Sequence, residues 1–331
     1  MGVISVETGD VLTTTCDVLV LKYAQAFFGV DRAVAKALDL SEHLHNELAP
    51  GKYLLIPTQA RVAAKRVLFV GVPRLWQFGY AEIRKLAKDA LTIVAAQDCD
   101  RDSIAFTMHG VGYGLDEREA FTAQIAGLLE YLVTAGAGRR PKHIAIVERD
   151  TGRAGRMKAL LNTILAEAGM TSERTAEGRT KAIIPDAGIA SEHKQHVFVA
   201  MPYDEEMEDV YELGIQPVVN GAGCLCERCD RSAFTGDVLD RIKHNISSAT
   251  VVVADVTGAN PNVYLEVGYA WGKSVPTLLL AKKGVELEFD ARTQRCVFYT
   301  NITNLRKQLT ELLPQVISSA SAARTSPGGK H

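Results

Sequence analysis

With 331 residues the chain is long enough for two domains with sizeable cores. Lys plus Arg number 37 against 39 for Asp plus Glu, so the formal net charge of −2 argues against a nucleic-acid binder held by a basic face. A hydrophobic share of 47% with 23% charged residues is that of a globular protein and excludes global disorder.

Along the first half, apolar runs alternate with helical patterns. TGDVLTTTCDVLVLKY reads as a strand, a turn at Asp10 and a strand VLVLKY, and VLFVGV, SIAFTMHG and HIAIVE follow. Between and after these runs lie the helical stretches AEIRKLAKDALTIVAA, EAFTAQIAGLLEYLVTA and GRMKALLNTILAEAG. This alternation predicts α/β layers, and the uniformly apolar strands predict a sheet covered on both faces. Residues 171–195 are polar, broken by Gly and Pro, and read as a linker. HVFVAMP, CLCERCD, TVVVADVT and PTLLLAK then alternate with EEMEDVYELGIQPVV, GDVLDRIKHNISSA and VYLEVGYAWG, which predicts a second α/β domain over 196–316. The tail, 317–331, reads as disordered.

No segment reads as a signal peptide or reaches membrane-spanning length, so a cytoplasmic protein with no membrane partner is expected. Six cysteines are too sparse for a disulfide scaffold. Cys224, Cys226 and Cys229 lack the paired spacing of a zinc site; buried thiols and no metal are expected.

Ligands of open parallel sheets sit beyond the strands' carboxyl ends. In the second half these ends carry Pro202, Tyr203 and Asp204, then Arg228 and Asp230, then Gly258 to Asn262. The helix opened by that last loop places Glu266 near its start among Val263, Tyr264 and Val267. A carboxylate shielded there suits attack on, or stabilisation of, the anomeric carbon of a ribose as an N-glycosidic bond breaks. Departing nicotinamide needs no acid, whereas a deoxynucleotide base does, with Asp204, Asp230 or Asp255 as candidates. A glutamate near a helix start is also favoured by the helix dipole alone.

FVAMPYDEEMEDVYELGI, the stretch from ERCDRSAFTGDVLDRIKHNISSA to ADVTGANPNVYLEVGYA, and RCVFYTNITNLRKQL together resemble the nucleoside 2-deoxyribosyltransferase-like and TIR-like superfamily. The resemblance implies a flavodoxin-like fold, a homo-oligomer and Glu266 as catalytic residue; beside it, Asp255 and Asn262 are expected to assist, with a substrate site at Pro202, Tyr203, Asp204, Arg228, Asp230, Gly258 and Tyr269. Arg228 would contact phosphate.

GDVLTTTCDVLVL, FFGVDRAVAKAL, RVLFVGV and SIAFTMHGVGYGLDEREAF resemble a macro domain, or the macro-like N-terminal domain of leucine aminopeptidases, over residues 1–170. That implies nucleotide binding at Asp10, Gly29, Val30, Asp31, Gly71, Gly110, Val111, Gly112, Tyr113 and Gly114. The combined expectation is two three-layer α/β domains, macro-like and flavodoxin-like. The second would cleave the N-glycosidic bond of NAD or a related nucleotide without any required cofactor. The first would bind an ADP-ribose-like ligand as regulator, an architecture shared with bacterial antiphage effectors. The alternatives are a non-catalytic nucleotide sensor and a salvage N-glycosidase or transferase acting on nucleosides or deoxynucleotides.

Overall fold

The computed structural model describes residues 3–41, 44, 47–111, 113–167, 187–229, 236–285 and 296–325. The chain divides into two compact units, the first comprising residues up to Val111 with Glu117–Glu192, the second Gly112–Asp116 with the chain from His193 onward.

The first unit is a six-stranded sheet of β1 (Ile4–Thr8), β2 (Val18–Tyr23), β3 (Tyr53–Pro57), β4 (Arg66–Gly71), β5 (Ser103–Thr107) and β6 (His143–Glu148), in the order β1-β6-β5-β2-β4-β3. Its ladders are parallel except that of β3 against β4. Four helices accompany it, α1 (Gly29–Ala37), α2 (Tyr80–Ala95), α3 (Glu117–Thr134) and α4 (Thr151–Glu167). Every residue of this central strand β2 is buried: Val18–Leu21 and Tyr23 by apolar packing, Lys22 with its ammonium on Asp31. The short edge strand β3 and helix α1 lay outside the elements read from apolar runs.

The second unit is an all-parallel five-stranded sheet of β7 (His196–Ala200), β8 (Leu225–Glu227), β9 (Val251–Asp255), β10 (Thr277–Lys282) and β11 (Cys296–Tyr299), in the order β11-β10-β9-β7-β8. Counted along the unit this is the flavodoxin-like order, with its switch point between β7 and β9. Its helices are α5 (Glu205–Asp209), continued by a π turn over Val210–Ile215 into α6 (Gln216–Gly221), then α7 (Gly236–Ser248), α8 (Pro261–Gly272) and α9 (Ile302–Thr325). The fold class is thus the expected pair of layered α/β units.

One expectation is corrected. The tail is not disordered from residue 317: α9 runs to Thr325, because Leu305, Leu309, Leu313 and Ala320 recur at helical spacing and are buried in the second core, with Val316 and Ile317 packed against it. Of the expected linker, 171–186 lies outside the described residues, and 187–195 holds a single-turn helix at Ala190–His193. No helix among the described residues is long and apolar enough to cross a membrane.

Candidate functional site

The ends of β7 and β9 diverge at the switch point, and the second unit has a cavity of about 290 Å³ there. Val199, Met201, Pro202, Tyr203 and Asp204 line it from β7 and its continuation, Asn260, Asn262, Val263 and Glu266 from the start of α8, and Cys229 from beyond β8.

Local sequence explains how α8 meets the cavity. Asn260 caps the helix by accepting the Asn262 N–H at 2.9 Å, and Pro261 follows at the first helical position, where its missing N–H is harmless. Asn262, Val263 and Glu266 are then three and four residues apart and share a face. Glu266 is buried, at 6% exposure, while the adjacent Leu265 is 62% exposed. No acidic residue occupies the first turn of α8; Glu266 lies in the second, so capping and the helix dipole do not account for its position.

The other expected site residues separate into distinct roles. Pro202, Tyr203, Asp204 and Asn262 meet Glu266 at the cavity. Asp255 is fully buried and is not among the lining residues; its carboxylate accepts the Thr257 N–H at 3.0 Å and the Tyr299 hydroxyl at 2.8 Å. Burial raises its pKa above the ordinary carboxylate value. Asp255 thus ties β9 to β11. Gly258 does not line the cavity either, and the Tyr269 hydroxyl is 3.3 Å from the Ser247 hydroxyl on α7. Asp230 lies outside the described residues.

Arg228 departs from its expected role. Its guanidinium lies 3.9 Å from the Tyr203 ring centroid and 3.8 Å from that of Tyr211, and Nη2 donates to both carboxylate oxygens of Glu208 at 2.8 and 2.9 Å. With 4% exposure its charge and faces are already engaged, so it backs Tyr203 rather than presenting a fork to phosphate. Cys224, Cys226 and Cys229 are buried free thiols, and no metal-binding cluster occurs among the described residues.

In the first unit Asp10, Gly29–Asp31, Gly71 and Gly110 follow or end β1, β2, β4 and β5, whose carboxyl ends share one sheet edge. Asp10 accepts the Leu12 N–H at 2.9 Å and so shapes its own turn. Asp31 is buried and paired with Lys22 Nζ at 2.5 Å; burial raises its pKa, against the opposing pull of Lys22. Gly71 serves packing, since a Cβ there would stand 2.3 Å from the Leu48 and Ala49 carbonyl oxygens. Val111 is half-buried beside Gly110, whose φ of +89° needs glycine. Gly112 lies outside the described residues, and Tyr113 and Gly114 belong to the second unit. His109, which its place at a strand end marks as a hydrogen-bonded structural residue rather than a base, is 1% exposed, but neither ring nitrogen is hydrogen-bonded; burial holds its pKa well below the ordinary value, with Lys22 adding to the effect.

No family model and no curated protein matches the chain. Among solved structures, an Oceanobacillus iheyensis macrodomain with MES bound is similar over 49% of this chain and 91% of its own, at 16% identity and a TM-score of 0.41. A Trypanosoma brucei macrodomain in complex with ADP-ribose is similar over 48% of this chain and 69% of its own, at 16% identity and a TM-score of 0.39. A tomato leucine aminopeptidase mutant covers 85% of this chain and 82% of its own, at 10% identity and a TM-score of 0.32.

Proposed function

We propose that the second unit cleaves the N-glycosidic bond of NAD or a related nucleotide through Glu266, and that the first unit binds an ADP-ribose-like ligand. The observation that carries the first part is a buried glutamate lining a cavity at the sheet's switch point, beside Tyr203, Asp204 and Asn262. In this reading the anomeric carbon sits against Glu266. The C1′–N bond breaks with its electron pair going to the ring nitrogen, and a pyridinium therefore leaves as a neutral base without an added proton. The Glu266 carboxylate stabilises or captures the oxocarbenium-like centre, and water then adds to C1′ and gives up its proton. Asn262 supplies an amide for a ribose hydroxyl. For the first unit, the reading rests on the sequence resemblance and on Asp10, Gly29–Val30 and Gly110–Val111 at the carboxyl ends of its parallel strands.

The test is chromatography of NAD and of deoxynucleoside monophosphates incubated with the full chain and with Glu266→Gln, each with and without ADP-ribose. Nicotinamide release by the wild type alone supports the reading. Free base from deoxynucleotides moves the assignment to a salvage-type N-glycosidase. Binding without release under every condition makes the protein a nucleotide sensor.

A further inference from the structure

The segment Tyr113–Asp116 has no role in the chemistry above, and its packing is unusual for its place in the chain. In sequence it falls between β5 and α3, yet it belongs to the second unit. There it lies along β8, an edge strand of three residues whose ladder partner among the described residues is β7. Tyr113 forms an antiparallel bridge with Cys229. The Asp116 carboxylate, 1% exposed, accepts the outward N–H of Cys226 at 2.9 Å. Asn220, its amide nitrogen facing Asp116, donates to the same carboxylate at 3.0 Å and to the Cys224 carbonyl at 3.1 Å. The Gly114 carbonyl accepts from Asn245 Nδ2 at 3.1 Å. Gly114 itself has φ +91°, and a Cβ there would stand 2.3 Å from Cys229 Sγ. An unpaired N–H on a buried edge strand is unfavourable, and this carboxylate removes that penalty.

The two residues after β8 are Arg228, which backs Tyr203, and Cys229, which lines the cavity. We propose that Asp116 and Gly114 are positioning residues for that cavity, holding the end of β8 so that Cys229 and the Arg228–Tyr203 stack form its wall. The importance of this wall rests on the cavity being the reactive site proposed above, but the geometric claim and its test do not.

The experiment is alkylation of the native full-length protein with iodoacetamide, resolved to individual cysteine peptides. Cys16, buried in the first unit with its thiol pushed up to about 12 by burial, is the internal reference for global opening. Asp116→Ala is expected to speed alkylation of Cys229 about tenfold while Cys16 is unchanged, because losing the acceptor frees the end of β8 locally. Asp116→Asn retains an acceptor oxygen and should stay within about threefold of wild type. An unchanged Cys229, or Cys229 and Cys16 rising together, overturns the proposal. Alkylation needs no turnover, so a chain that releases no base from any nucleotide would remove the N-glycosidase reading and leave this one standing.

Discussion

Arg228 and Tyr203 form a stack, guanidinium carbon to ring centroid 3.9 Å, that makes Arg228 the backing of the cavity wall. The second ring, Tyr211, and the Glu208 carboxylate complete its surroundings. Arg228→Leu is expected to destabilise the second unit by about 2–4 kcal/mol, since it removes two cation–π contacts and the partner of Glu208. Arg228→Lys should recover only part of that, because an ammonium lacks the planar face. Urea unfolding followed by peptide-resolved amide exchange in β9 measures both.

Glu266→Gln keeps the volume and removes the negative charge. If the N-glycosidase reading holds, nicotinamide release falls by about a hundredfold or more while nucleotide binding, measured by calorimetry, persists. Turnover within about threefold of wild type would reassign the catalytic role.

Asp255 gives a pH signature. Its folded pKa is raised by burial above the ordinary 3.8, so the folded state holds the proton longer than the unfolded chain does. Its contribution to stability is fully present below 3.8 and is lost as pH rises through the raised folded value. Asp255→Asn cannot titrate. The variant's stability relative to wild type should therefore grow as pH climbs from 3.8 and level off above the folded pKa, read from melting temperatures across that range.

Lys22→Met strips the partner from buried Asp31 and should destabilise the first unit by about 3–5 kcal/mol. Lys22→Met with Asp31→Leu should recover most of the loss, because both charges are then gone. Urea midpoints of the single and double variants decide this.

Two helical glycines should respond in opposite directions. A Cβ on Gly127 in α3 would stand 2.1 Å from the Arg84 carbonyl oxygen of α2, so Gly127→Ala is expected to lose about 2–3 kcal/mol. A Cβ on Gly268 in α8 meets nothing within 4 Å, so Gly268→Ala should gain about 0.5–1 kcal/mol through helix propensity. Melting temperatures of the two variants check the contrast.

What could be read in the residue order was local. VLVLKY is β2 residue for residue, and HIAIVE is β6, because burial on both faces needs a largely hydrophobic stretch through the strand's interior. The loop from Gly258 to Asn262 is the expected opening of α8; the structure starts the helix at Pro261 behind the Asn260 cap, and the helical repeat places Asn262 and Glu266 on one face. The meeting of Pro202 and Tyr203 with that face also followed from strand ends, since ligand clefts of parallel sheets open there.

Short or weakly patterned elements escaped the same reading: β3 is a five-residue edge strand, and the apolar face of α9 is diluted by Ser and Ala towards its end. Tertiary structure alone decided which polar groups face the cavity and which are spent on packing. Asp255 and Arg228 stand at strand ends as Tyr203 does, yet Tyr299 takes the first and Glu208 with two tyrosine rings the second. Asp116 reaches Cys226 across 110 positions, a pairing that no local period encodes. Secondary structure follows from neighbours a few residues apart, but the partner of a buried polar group is chosen by whatever distant segment the packed core brings within hydrogen-bond reach.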